Sequence, residues 1–196
     1  MKSQTNHDWY HLNGNWNEWQ RLEWKFRIPK GFQPTTKFCH LHQLKAQEGN
    51  NGAPLITIST RCDKDGGNKR VQVIHTGDTR TSGKGVIIDN LPLADFEDEW
   101  IQVETEMHYT HHGTFRIKLT RISDGKVLAD QSFADVDLWR KGATSIRNKF
   151  GIYRSLGRKM QSASDRPDNG LKDESLQLAD FKVYEAHTNP NPQPHD

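Results

Sequence analysis

Two short runs hold the residues best suited to chemistry. The first is Phe38-Cys39-His40-Leu41-His42-Gln43-Leu44-Lys45-Ala46, followed by a Gly/Asn turn and Pro54-Leu55-Ile56-Thr57-Ile58. An extended strand sends alternate side chains to one face, so it presents either His40 and His42, or Gln43 and Lys45. Polar groups in a strand otherwise fit for burial need partners or a ligand. The second run is Arg147-Asn148-Lys149-Phe150-Gly151-Ile152-Tyr153-Arg154-Ser155-Leu156. Here Lys149, Gly151 and Tyr153 share one face, and Phe150 and Ile152 share the other. Gly151 leaves its face open, so that a ligand can approach the backbone. A phenol can carry a proton, and a cation such as Lys149 or Arg154 beside it favours its phenolate form. A Gln amide, an imidazole or an ammonium can donate to a carboxylate and neutralise it. The chemistry these types fit is proton transfer next to a carboxylate. The plainer readings also stand: a sheet with one wet face, a Tyr153 ring that only caps the core, and solvated charges at Lys149 and Arg154.

These residues need a β framework to hold them, and strand signals dominate the chain. Alternating or β-rich runs occur at Arg21–Ile28, Lys37–Lys45, Leu55–Arg61, Arg70–His75, Trp100–Tyr109, Thr114–Ile122, Lys126–Phe133, Lys149–Leu156 and Ser175–Glu185. Between them lie turn residues such as Pro29-Lys30-Gly31, Asp65-Gly66-Gly67 and His112-Gly113. Asp124-Gly125, between two alternating runs, is the clearest hairpin signal. Asp135–Ile146 is the one stretch with helical character, and Gly142 limits its length. Many short strands and little helix predict an all-β fold, a sandwich or jelly roll of two antiparallel sheets. The strands carrying Gln43 and Tyr153 are expected in one concave sheet. Residues 1–186 read as a single domain. Residues 187–196, with three prolines and no periodicity, read as a disordered tail, and Arg158–Asp173 as a long polar loop.

Composition narrows the function classes. The 196 residues suffice for one domain with a sizeable core, yet only 33% are apolar. Six Trp, eight Phe and four Tyr are too many for a disordered chain. The charged residues, 27 basic and 25 acidic, nearly cancel at +2, so no global field selects nucleic acid. No apolar run approaches the roughly 20 residues that span a bilayer, and the first ten residues lack the apolar core of a signal peptide. Cys39 and Cys62 make no disulfide framework and leave a single bridge open.

The strings RLEWKFRIP, HLHQLKA with PLITI, DEWIQVETEMHY, ISDGKVL, LWRKGA and KFGIYRSL occur in this order. As an ordered set they resemble the jelly-roll polysaccharide lyases, most of all the glucuronan lyases, and more distantly the heparin and alginate lyases of that fold. The resemblance implies β-elimination on a uronic-acid polymer, with Tyr153 as catalytic tyrosine and Gln43 at the substrate carboxylate. It sets Lys149 at a basic position four residues ahead of the tyrosine in heparin lyases. His42 joins these as a candidate catalytic group, while Lys45, His40 and Arg154 become candidate substrate contacts. Lys45 stands where alginate lyases place a histidine, which puts its role in question. An earlier strand usually supplies another histidine, for which His7 and His11 are the candidates. The resemblance further implies an acidic polysaccharide as partner and a secreted or periplasmic location; a monomer is expected, and no metal or other cofactor is required, because Gln43 and basic or imidazole side chains can neutralise the carboxylate.

Two other functions are open to such a sandwich. A non-catalytic carbohydrate-binding module would keep the aromatics without needing Gln43, Lys149 and Tyr153. A glycoside hydrolase needs two facing carboxylates, and the acidic cluster Asp95–Glu99 reads as a turn. His111-His112 reads as a solvated loop rather than a metal pair. Asp63-Lys64-Asp65-Gly66-Gly67 has a faint calcium-loop character without the full ligand spacing. Trp16 and Trp19 could stack on sugar rings, whereas Trp24, alternating with Phe26, suits the core.

Overall fold

A computed structural model of the chain describes residues 2–4, 13–79, 81–155 and 171–188. Eleven strands follow one another: β1 (Lys2–Gln4), β2 (Trp19–Arg27), β3 (Cys39–Gln47), β4 (Ile56–Arg61), β5 (Arg70–His75), β6 (Gly85–Pro92), β7 (Ile101–His108), β8 (Gly113–Arg121), β9 (Val127–Val136), β10 (Ser145–Arg154) and β11 (Gln177–Ala186). They form a six-stranded sheet, in the order β1-β11-β2-β7-β8-β9, and a five-stranded sheet, β10-β3-β4-β5-β6. All ladder pairs are antiparallel. The fold is an all-β jelly-roll sandwich. No α-helix occurs among the described residues, where a single 3-10 turn spans Leu93–Asp95.

Period-two patterning builds the core. Leu22, Trp24, Phe26 and Ile28 from β2 and its end, Ile101, Val103 and Met107 from β7, and Phe115, Ile117 and Leu119 from β8 all point inward. They meet Leu41, Leu44 and Ala46 of β3, Ile56 and Ile58 of β4, and Val71 and Val73 of β5. Burial of this many apolar side chains, at roughly 1.5–3 kcal/mol each, is the main term holding the sheets together. Gly14 closes one end: it bridges to Ile146 of β10, and a Cβ there would lie 1.9 Å from the Tyr109 ring.

The structure corrects one sequence expectation and settles two points that the sequence left open. Asp135–Ile146 is no helix: β9 runs to Val136, Asp135 has φ 53°, and Gly142 has φ 74°. The Arg140 side chain there donates to the carbonyls of Ala53, Pro54 and Thr76, tying an irregular segment across the sheet ends. Gly85–Pro92, read as neither strand nor turn, is an edge strand with register shifts against β5. Its Asp-Asn-Leu-Pro end resembles a turn, and Asn90 does adopt φ 60°. Cys39 and Cys62 are both buried free thiols, so they form no bridge. The Asp124-Gly125 hairpin joins β8 to β9 as its residues foretell, with Gly125 at φ 71° and the Asp124 carboxylate accepting from Arg121 and the Lys126 amide.

Candidate active site

The two chemically suited runs lie side by side as β10 and β3. Residues directly opposite on neighbouring strands share a face, so register fixes the arrangement. Lys149 stands opposite Gln43, which stands opposite Thr57 of β4. Tyr153 stands opposite His40, which stands opposite Ser59. Arg147 stands opposite Lys45. These residues line the outer face of the five-stranded sheet, since β4 sends Ile56 and Ile58 into the core.

Two bulges create this grouping. On β10 the register slips between Phe150 and Tyr153, where Gly151 takes φ 128°, a conformation reserved for glycine. On β3 it slips between His40 and His42. The second slip splits the two histidines that simple alternation keeps together: His40 joins Gln43 and Lys45 on the outer face, and His42 turns inward. The His42 ring packs against Trp24 and Phe150 at centroid distances of 5.4 and 4.9 Å. Its Nε2 bonds Asn148 Oδ1 at 2.9 Å, Asn148 donates to Gln20, and Tyr109 donates to Gln20. His42 is a member of a buried polar string, with no place on the site face. Burial drives its pKa down to about 4, partly offset by Asn148.

His40 is held for a different task. Its Nδ1 lies 2.7 Å from Ser59 Oγ, whose proton goes to Thr57 Oγ1 at 3.0 Å. The Ser59 oxygen is then the acceptor, which puts the imidazole proton on Nδ1 and leaves Nε2 a lone pair. Burial, with help from Arg61, lowers the His40 pKa to about 4, so the ring is neutral near pH 7. Tyr153 packs its ring on Phe38 and His40, at 5.3 and 6.1 Å, yet is 59% exposed. A ring that only capped the core would not present so much surface. Gln43 is buried as a residue, but its amide has no hydrogen-bond partner among the described residues and is not sealed from solvent. It is a donor in wait of an acceptor.

Charge separates the two outer faces. On the six-stranded sheet Arg21 meets Glu23 and Glu104, Arg116 meets Glu106 and Asp130, and Lys25 meets Asp180. On the five-stranded sheet Lys45, Lys149, Arg147 and Arg61 have no acidic ion-pair partner among the described residues. Arg154 is excluded from this group: it stands opposite buried Cys39 and donates to the Lys172 carbonyl. His7 and His11 lie outside the described residues. Residue types alone flagged neither Arg147 nor Arg61, nor the Ser59–Thr57 support of His40; a cross-strand register was needed to find them.

The remaining candidates fall elsewhere. His111 and His112 each bond an aspartate, Asp137 and Asp135, and no metal-holding group of His, Cys, Asp or Glu occurs among the described residues. Asp63 is taken by Arg70 and Asn68. Trp24 is fully buried, Trp19 stacks on His108, and Trp16 stands 52% exposed against Trp139.

No family model matches the chain, and no curated protein matches it. Solved structures do. An alginate lyase of Pseudomonas aeruginosa is 17% identical with a TM-score of 0.51, the match covering 88% of this chain and 68% of that one. The alginate lyase Aly36B, in a double-mutant form with an alginate trisaccharide, is 9% identical with a TM-score of 0.54, covering 89% and 72%. At such identities the likeness is one of architecture: the chain has the jelly-roll fold also found in alginate lyases.

Proposed function

We propose that the protein is a polysaccharide lyase that cleaves a uronic-acid polymer by β-elimination. The observation that carries this reading is one face on which Tyr153, His40, Gln43 and Lys149 converge among cations that no described acid neutralises. The shared fold with alginate lyases supports it, and the ordered sequence strings make glucuronan the first polymer to test.

The chemistry follows from the residue types. The C5 proton of a uronate is acidic only when the neighbouring carboxylate is neutralised, since the intermediate otherwise carries two negative charges on adjoining atoms. The Gln43 amide and Lys149 ammonium are the groups to hold that carboxylate. Tyr153, as phenolate, takes the C5 proton. The electron pair forms the C4–C5 double bond, the C4–O bond breaks, and the leaving oxygen takes the proton from the Tyr153 phenol. The products are a 4,5-unsaturated uronate end and a new hydroxyl end, and the phenolate is restored. Each step is carried by side chains, without a metal.

A panel of glucuronan, alginate, heparin, ulvan and pectate, followed by ultraviolet absorption of unsaturated ends, tests the proposal. Absorbance rising on at least one uronan, with chelator present, is the expected result. Polymer binding with no unsaturated product on any member would instead make the chain a carbohydrate-binding module.

A further inference from the structure

We propose that Lys45 and Arg147, backed by Lys149, form a second oxyanion subsite, which takes a negatively charged group of the polymer other than the carboxylate held at Gln43. The inference rests on the polysaccharide reading above and deepens it: the substrate must offer a second anion beside the sugar being cleaved.

The register is the first support. Arg147 and Lys45 are directly opposite one another on β10 and β3, and like charges so placed destabilise an antiparallel pair. The other sheet resolves its facing charges: Arg21 faces Glu106, Glu106 faces Arg116, Lys118 faces both Glu104 and Asp130, Lys182 faces Glu23, and its like pair, Glu23 opposite Glu104, is bridged by Arg21. Lys149, two residues from Arg147 on the same face, adds a third charge. Desolvation first, and then Lys149, Arg147 and Arg140, all cations, make the Lys45 ammonium less favourable than usual. An incoming anion removes that repulsion.

The second support is an open donor set. The Arg147 guanidinium makes no hydrogen bond among the described residues, and its two terminal nitrogens, unlike Nε, are not sealed from solvent. A guanidinium presents its donors as a planar fork suited to two oxygens of one carboxylate or sulfate. Position is the third. Along a strand, two residues span about 6.7 Å, so the Lys45–Arg147 pair lies one such step from the Gln43–Lys149 pair, on the side away from Tyr153 and His40. A group bound there flanks the reacting sugar. A sulfate ester on that sugar and the carboxylate of an adjoining uronate share the required chemistry.

The test uses the full chain carrying Tyr153→Phe, so that polymers bind without turnover. Affinity for glucuronan and for heparin is measured with Arg147→Met, Lys45→Met and Arg147→Lys added in turn. The Met variants should bind at least one polymer roughly tenfold or more weakly, with a shallower salt dependence, and Arg147→Lys should recover most of the loss. Their melting temperatures should equal or exceed the parent's, because a like-charge repulsion is gone; a fall in affinity without a fall in melting temperature excludes misfolding. Loss confined to heparin assigns the subsite to sulfate, and equal loss on glucuronan assigns it to a neighbouring carboxylate. Affinities for both polymers within twofold of the host, or a host that binds neither polymer, overturn the subsite. Failure of the lyase reading looks different: the protein with Tyr153 intact yields no unsaturated ends, whatever the Met variants do to binding.

Discussion

Tyr153 faces His40 across the β10–β3 ladder because β10 spends one residue more than β3 between Lys149–Gln43 and Tyr153–His40. Lys149 and Tyr153 are four apart in sequence, whereas Gln43 and His40 are three apart. The extra residue is absorbed at Gly151, and the result is a phenol, a neutral imidazole, an amide and an ammonium on one face. Proton carrier and carboxylate holder thereby sit on rigid strands rather than on loops, which favours a fixed reaction geometry.

The role of Tyr153 is separable from its packing. Tyr153→Phe keeps the ring against Phe38 and His40 and deletes the hydroxyl. General acid–base groups contribute about 10²–10⁴ in rate, and a group acting in both directions should reach the top of that range. The variant should melt with the parent and bind polymer, while unsaturated product nearly vanishes. Activity within a few-fold of the parent would reduce Tyr153 to a packing ring and turn attention to His40 as base.

Gln43→Ala removes the amide that no described residue uses. Loss of a preformed donor to a developing oxyanion costs about 10²–10³ in kcat, so kcat should fall by that order with a smaller change in KM. A variant whose KM rises while kcat holds would show that Gln43 grips the polymer without stabilising the intermediate.

Much of this was legible in the residues themselves, and the exceptions share one cause. Strict alternation in β2, β7 and β8 announces half-buried strands, and the faces of Lys149 and Tyr153 follow correctly from parity. Parity fails on β3. Nothing in Cys39–Gln47 marks the slip at Leu41, so His42 looks like a partner of His40 when it is a core residue beside Trp24. Gly151 at least advertises its bulge, being the residue type such a backbone requires. The unneutralised cations were equally hidden: a net charge of +2 averages a face of ion pairs with one where Arg70 is paired but Lys45, Arg147, Lys149 and Arg61 have no acidic partner among the described residues.

Gly151→Ala probes the bulge directly. Its φ of 128° is outside the range of residues with a Cβ, although no atom lies within 4 Å of where that Cβ would stand. The penalty is therefore backbone strain, about 1–3 kcal/mol, or a drop of roughly 2–12 °C in melting temperature for a chain of this size. If the strand relieves the strain by regularising, Tyr153 turns away from His40, and product formation should fall further than stability does. Parent-like values of both would mean that the bulge is not needed to aim Tyr153.

The buried histidine makes stability depend on pH in a defined window. An imidazole ordinarily titrates near 6.5, and burial holds His42 at about 4 in the folded chain. Between these values the unfolded chain binds the proton and the folded one does not. The contribution of His42 to stability is thus complete above pH 6.5 and is lost as pH falls towards 4, at up to about 1.4 kcal/mol per pH unit. His40, also lowered to about 4, adds in the same direction. Melting temperature should drop steeply across this window. His42→Gln offers a test, since its amide can still donate to Asn148 and carries no charge at any pH. That variant should start less stable, having lost ring contacts with Trp24 and Phe150, yet decline less between pH 6.5 and 4. Carboxylate protonation lowers both curves alike, so the difference in slope isolates His42; parallel curves would mean that its ring already accepts a proton in the folded chain.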